Sequence, residues 1–141
     1  EKHSLRFELF TTIQTKRKFF DVLGRTKIFV SPWGLGEWSG KDEEAILSGA
    51  VLLKPGASIF ESTIPMYTPG KTCLESRPDG LDIGEVLAAA LSKQNLPELE
   101  RIRARAFESQ RQFVSYGRAV KHPAVVAAWT DIVKRLQNEL R

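Results

Sequence analysis

Two short apolar runs, Ile28-Phe29-Val30 and Val51-Leu52-Leu53, each end in a proline turn, at Ser31-Pro32 and Lys54-Pro55. The first does not alternate with polar residues, the pattern of a strand buried on both faces, as in a parallel sheet covered by helices. Between them lies a glycine-rich turn with Gly34 and Gly36, then an acid-rich segment over residues 39–48 carrying Ala45 and Ile46, then Gly49. The spacing predicts strand, glycine loop, helix, strand: a βαβ unit whose loop leaves the carboxyl end of its first strand. The helix is expected to begin between Ser39 and Asp42. Asp42, Glu43 and Glu44 then lie near its positive end, where acids interact favourably with the dipole.

The flanking patterns complete a layered α/β order. Leu5, Phe7 and Leu9 alternate with Arg6 and Glu8, predicting a short half-buried strand. Residues 11–23 predict a helix with Ile13, Phe19, Phe20 and Leu23 on one face and Gly24 as its C′ residue. Prolines and glycines make residues 57–80 a long loop with one short strand near 72–75, and long ordered loops are often functional. A helix is expected from Asp82, with Glu85 completing a capping box and Ile83, Val86, Leu87, Ala90 and Leu91 as its apolar stripe. Pro97 suits the first turn of the next helix, which carries Leu99, Ile102 and Ala106 on one side and Arg101, Arg103, Arg105 and Arg111 on a solvated side. His122-Pro123 opens the last. The expected fold is a single α/β domain over residues 1–141: an α/β part at 1–96 and a C-terminal helical extension at 97–141.

Composition narrows the function classes. The chain has 141 residues, one cysteine, two histidines and a formal net charge of +4. One core is expected, and an internal disulfide is impossible. Cys73, His3 and His122 have no zinc-ligand spacing, so no metal is expected. No apolar run is long enough to span a membrane. The missing initiator Met reads as a processed or trimmed piece whose targeting cannot be seen. The basic run Lys16-Arg17-Lys18 reads as a solvated helix face, and no RNA-binding or zinc-finger pattern is present. Nucleic acid is therefore the weakest reading.

The candidate chemistry sits in residues 31–37, Ser-Pro-Trp-Gly-Leu-Gly-Glu. Ligands of open parallel sheets bind outside the carboxyl ends of strands. Glycines let backbone N–H groups approach an anion, and the helix N-terminus beyond favours phosphate. Glu37 and Glu44 flank that terminus and can accept hydrogen bonds from sugar hydroxyls. The combination suits a nucleotide sugar. It is neither a Walker loop nor a dinucleotide fingerprint, since no Gly-Lys-Ser/Thr follows and the third glycine is misplaced. Trp33 and Trp38 read as packing residues with satisfied N–H groups, and Cys73 as an inert small residue.

Residues 31–37, followed by Lys-Asp-Glu-Glu-Ala-Ile-Leu-Ser-Gly at 41–49 and the strand ending Lys54-Pro55, resemble the C-terminal half of GT-B glycosyltransferases. The likeness is to the exostosin-like and family-1-like group, which reads S-P-x-G-x-G-E, then R-D-F-E-A-I-L-x-G, then K-P. Ser58-Ile59-Phe60-Glu61-Ser62-Thr63 looks like the S-H-x-E-T that follows there. The likeness spans about residues 19–91 and is most specific over 31–55. It implies a partial Rossmann-like parallel sheet that binds a nucleotide-diphosphate sugar as donor substrate, with no separate cofactor. By the same resemblance Gly34 and Gly36 lie near the donor phosphates with Lys41, Glu44 contacts the ribose, and Ser58 and Glu61 face the donor sugar or the cleft. Glu37, a loop acid, is a candidate catalytic or sugar-contacting residue. Lys41 stands where the group has Arg, Glu43 where it has an aromatic, and Gly56 where it has Asp. A GT-B enzyme closes two domains over its substrates. The implied partner is thus an N-terminal domain or a separate chain, and the alternative is a non-catalytic, transferase-derived subunit of a larger assembly.

Overall fold

A computed structural model describes residues 6, 15–33, 39–59, 66–115, 127, 130 and 131. The predicted strand around Leu5, Phe7 and Leu9 and the helix after His122 lie essentially outside these residues.

Helix α1, Lys16–Leu23, starts at Thr15, whose hydroxyl accepts a hydrogen bond from Lys18 N. Gly24 caps its end in a right-handed conformation (φ −61°), so the glycine is not the left-handed C′ residue expected of it. Strand β1, Ile28–Val30, leads to residues 31–39 and then to α2, Gly40–Leu47. The Ser39 hydroxyl caps α2 by accepting from Lys41 N at 3.2 Å. Gly49, with φ of 91°, turns the chain into β2, Val51–Pro55. A 3₁₀ turn at Ala57–Ile59 follows, and the next strand is β3, Cys73–Ser76. The last described helices are α3, Ile83–Ala90, and α4, Leu96–Ser115. Pro97 sits in the first turn of α4, where its missing N–H costs nothing.

The three strands form one parallel sheet in the order β1-β2-β3. Ile28 pairs with Val51 and Val30 with Leu53, while Leu52 pairs with Cys73 and Pro55 with Ser76. Pro55 is the last residue of its strand, as a residue without an N–H should be in a central ladder. The central strand β2 is buried along its whole length, whereas the three residues of β1 are only half-buried. Double-sided burial was expected of the first run and is found instead in the second.

Side chains alternate across β2, so its two faces meet different layers. On one face Leu52 packs with Leu23, Ala45, Ile46, Met66 and Tyr67, and on the other Val51 packs with Ala90, Leu99 and Ile102. Helix α4 serves both, since Ala106 belongs to the first cluster and Leu99 and Ile102 to the second. It is therefore part of the core and no mere extension of it. Its arginines stay in water, and Arg101, Arg103 and Arg111 pair with Glu98, Glu100 and Glu108 one turn away. Such exposed pairs contribute little to stability.

The expected capping box at Asp82 does not form. Asp82 holds the N-cap position of α3, but its carboxylate makes no cap bond and accepts Arg77 N at 2.8 Å instead. The preceding turn offers a backbone donor that competes with the helix for the same oxygen.

Candidate functional site

The loop from β1 to α2 leaves the carboxyl end of a parallel strand, and a buried polar cluster ties both of its ends. Ser31 enters first. Its N–H donates to Leu53 O at 3.0 Å, extending the β1–β2 pairing by one residue. Its hydroxyl donates to Asp42 Oδ1 at 2.5 Å. Asp42, in the first turn of α2, is fully buried, and its Oδ2 accepts from Lys54 Nζ at 2.8 Å and from Tyr67 OH at 2.6 Å. Lys54 also donates to Ser31 Oγ at 3.2 Å. The remaining side of its ammonium faces aromatic rings, 4.4 Å from the Trp33 centroid and 5.1 Å from that of Tyr67. Those two rings meet edge to face, and Trp33 Nε1 donates to Pro55 O.

Each charge in this cluster is thus neutralised and hydrogen-bonded, the condition for ions to persist in a core. Burial pushes the Tyr67 phenol well up, and the bond to the neighbouring Asp42 carboxylate adds to it. The cluster is not a reactive site. Lys54 and Asp42 are sealed from solvent, and both carboxylate oxygens are taken. It serves as a clamp, holding Ser31 and Trp33 at the start of the loop and Asp42 just past its end. The expectation that Asp42 merely complements the helix dipole is corrected here. The sequence did carry a signal, because Asp42 is three and four positions from Ala45 and Ile46 and shares their buried stripe. Lys54 was read only as part of the Lys54-Pro55 turn that closes the strand, and its burial comes from the packed sheet.

Of the candidate ligand residues, Gly34, Gly36, Glu37 and Glu61 lie outside the described residues. Lys41 is exposed in the first turn of α2, and Glu44 is half-buried on the same helix. Ser58 belongs to another cluster. Both its N–H and its hydroxyl donate to Glu75 Oε1, at 2.7 and 2.6 Å. These residues line a pocket of about 360 Å³ at the carboxyl ends of β2 and β3, together with Gly56, Ile59, Arg77, Pro78 and Asp82. Glu75 was not singled out from the sequence, and Asp82 only as a helix cap, since no periodicity joins the end of β3 to the turn after β2.

A second cleft of about 280 Å³ opens at the amino ends of β1 and β2, lined by Arg25, Lys27, Ser48, Gly49, Glu100 and Arg103 among others. The C-terminal ends of α1 and α2 reach it, and cations there complement exposed helix carbonyls. It lies at the end of the sheet opposite to where open parallel sheets take ligands.

Cys73 is buried at the start of β3. Burial first, and the charge of Glu75 second, push its thiol up from 9.0 to about 12. The thiolate is the reactive form, so native protein should resist alkylation at mildly alkaline pH and react only once unfolded. A thiol whose pKa is higher in the fold contributes stability that is full below about pH 9 and lost as pH rises through about 12. Denaturant titrations of wild type and Cys73→Ala across that range check the sign, since the variant should lose less stability as pH rises.

Among the described residues no helix is long and apolar enough to cross a membrane, and no group of three or more His, Cys, Asp and Glu could hold a metal ion. Comparison with family models, curated proteins and solved structures finds no match for the chain.

Proposed function

We propose that the chain is the nucleotide-sugar-binding portion of a glycosyltransferase, supplying the donor half of a GT-B-like cleft. The observation that carries this reading is the clamped loop. A glycine-rich segment leaves the carboxyl end of a parallel strand and enters a helix N-terminus, and Ser31, Asp42 and Lys54 fasten both of its ends in the core. Anchoring at Ser31 and Asp42 keeps the ends of the loop beside the N-terminus of α2, where backbone N–H groups favour a diphosphate. Gly34 and Gly36 then approach the phosphates, Lys41 adds a point charge at the helix start, and Glu44 accepts from the ribose hydroxyls. The diphosphate is the leaving group when an acceptor hydroxyl attacks the anomeric carbon. The second wall of the cleft, and the acceptor with it, belongs to another domain or chain.

Calorimetry of the full chain with UDP-sugars and GDP-sugars tests the reading. Hydrogen bonds to a charged group are worth ~1.5–3 kcal/mol, so Glu44→Ala should weaken donor binding by roughly 10- to 100-fold. A Glu44→Ala chain that binds as wild type does, or a wild type that binds neither donor class, sinks the proposal.

One observation favours a second reading, that of a transferase-derived interaction subunit. Strand β1 is half-buried, and among the described residues nothing pairs its edge away from β2. Open strand edges need cover, and a partner chain could supply it. A monodisperse, folded monomer with donor affinity would rule this reading out.

A further inference from the structure

The two most exposed large apolar side chains among the described residues are Leu81 and Ile59, at 79% and 64%. Both stand at one corner of the sheet, in the turns that leave the carboxyl ends of β3 and β2. Ile59 and Pro78 close on the same spot, since a Cβ on Gly56 would meet each of them at 3.1 Å. Hydrogen bonds hold the two turns. Gly80, with φ of 70°, donates its N–H to Arg77 O at 2.9 Å, and Leu81 N donates to Asp79 Oδ1 at 3.1 Å. Ile59 N donates to Gly56 O at 3.1 Å. The exposure of Leu81 and Ile59 thus belongs to bonded turns and not to a frayed end.

Three carboxylates, Glu75, Asp79 and Asp82, stand around this corner against one cation, Arg77, which is itself paired with Asp79. The chain as a whole carries +4, so the corner is opposite in sign to the rest. Exposed apolar residues with a polar rim mark a surface that binds protein or membrane. Anionic lipid headgroups attract cations and repel carboxylates, which leaves a protein surface whose own apolar residue is rimmed by cations.

The chain itself carries such a surface. Lys16, Arg17 and Lys18 are all exposed in the first turn of α1. Phe20, 42% exposed, follows Lys16 by four positions and Arg17 by three, so both cations stand beside its ring. Asp21 is the one carboxylate exposed on that helix. Helix α1 leads into β1 at one edge of the sheet, and the corner flanks β3 at the other. The two surfaces therefore do not meet within one copy. We propose that the Leu81–Ile59 corner docks on the exposed face of α1 in a second copy of the chain. A contact between two different patches does not close on itself, so copies join head to tail, in open chains or rings.

Sedimentation velocity of the full chain over a range of concentrations tests this. Species larger than a monomer should grow with concentration and recede as salt is raised, because the rim charges are screened. Leu81→Ser and Arg17→Glu each remove one of the two surfaces at an exposed position, so both should unfold at the wild-type temperature. Each should weaken association by about tenfold or more. A mixture of the two variants should form a one-to-one dimer and nothing larger, since each supplies the surface that the other lacks.

A wild type that stays monomeric at every concentration overturns the proposal. So does an oligomer that survives both substitutions, which would use another interface, or a variant mixture that stays monomeric. Leu81-dependent binding to phosphatidylcholine–phosphatidylserine vesicles, with no self-association, overturns it in favour of a membrane surface. None of these outcomes bears on nucleotide-sugar binding, which calorimetry reads separately.

Discussion

Asp42→Ala is expected to lower the unfolding free energy by roughly 3–5 kcal/mol, the cost of leaving one member of a buried ion pair without its partner. The removed carboxylate takes bonds from Ser31, Lys54 and Tyr67 together. What remains is an ammonium 1% exposed, with one hydroxyl and two ring faces for company. Lys54→Met should cost less, because Asp42 keeps two hydroxyl donors and only the ammonium is lost. The double variant Asp42→Ala/Lys54→Met should be less destabilised than the sum of the two, since no unpaired ion is left. Urea unfolding of the four proteins gives the cycle. A loss below about 1 kcal/mol in Asp42→Ala would place the pair in solvent-like surroundings, where such pairs are worth that little. Under the donor reading the same variant also weakens nucleotide-sugar binding, because the loop loses the anchor just past its end. Lys41→Ala, on the exposed side of the same helix turn, should leave stability almost unchanged.

Leu52→Ala should cost about 2–5 kcal/mol, the range for truncating a fully buried aliphatic side chain. Leu52 is 0% exposed in the central strand and contributes to the cluster shared by α1, α2 and α4. A cavity there has sheet on one side and helices on the other, so little can collapse into it. Phe20→Ala is the control. Phe20 is larger but 42% exposed on α1, and its truncation should cost well below the Leu52 value even though more atoms are removed. Thermal and urea denaturation of both variants settle the comparison. A Phe20→Ala effect equal to that of Leu52→Ala would mean that the α1 face is covered in solution.

The two expectations concern the same strand for related reasons. β2 carries Leu52 and Lys54 on one face, and both point toward α2. The apolar side chain holds that helix by area, and the lysine holds it by charge. An ion pair this deep is seldom the most stable filling of a core. Here the pair ties Ser31 and Asp42, the residues before and after the loop, to Lys54 of β2.

Much of the architecture was carried by local pattern. The bounds of β1, α2 and β2, the N-cap at Ser39, the turn at Gly49 and the break before Pro97 each follow from a few adjacent residues. Apolar spacing, capping chemistry and proline act over that range. Three expectations were not met. Gly24 keeps a right-handed conformation, β1 is half-buried, and Asp82 gives its carboxylate to Arg77 N, a donor in the preceding turn that no capping pattern names.

The sequence by itself determined a parallel βαβ unit with a glycine loop at a carboxyl strand end, because strand, turn and helix preferences are written within single turns of chain. Tertiary structure alone decided that Asp42 is a buried anchor and no solvated helix acid, with Lys54 twelve positions and Tyr67 twenty-five positions away as its partners. It alone placed Ser58 with Glu75 across seventeen residues. A carboxylate's role is set by how much water reaches it and which donors stand within three ångströms. Those are properties of the packed chain, and no spacing of letters contains them.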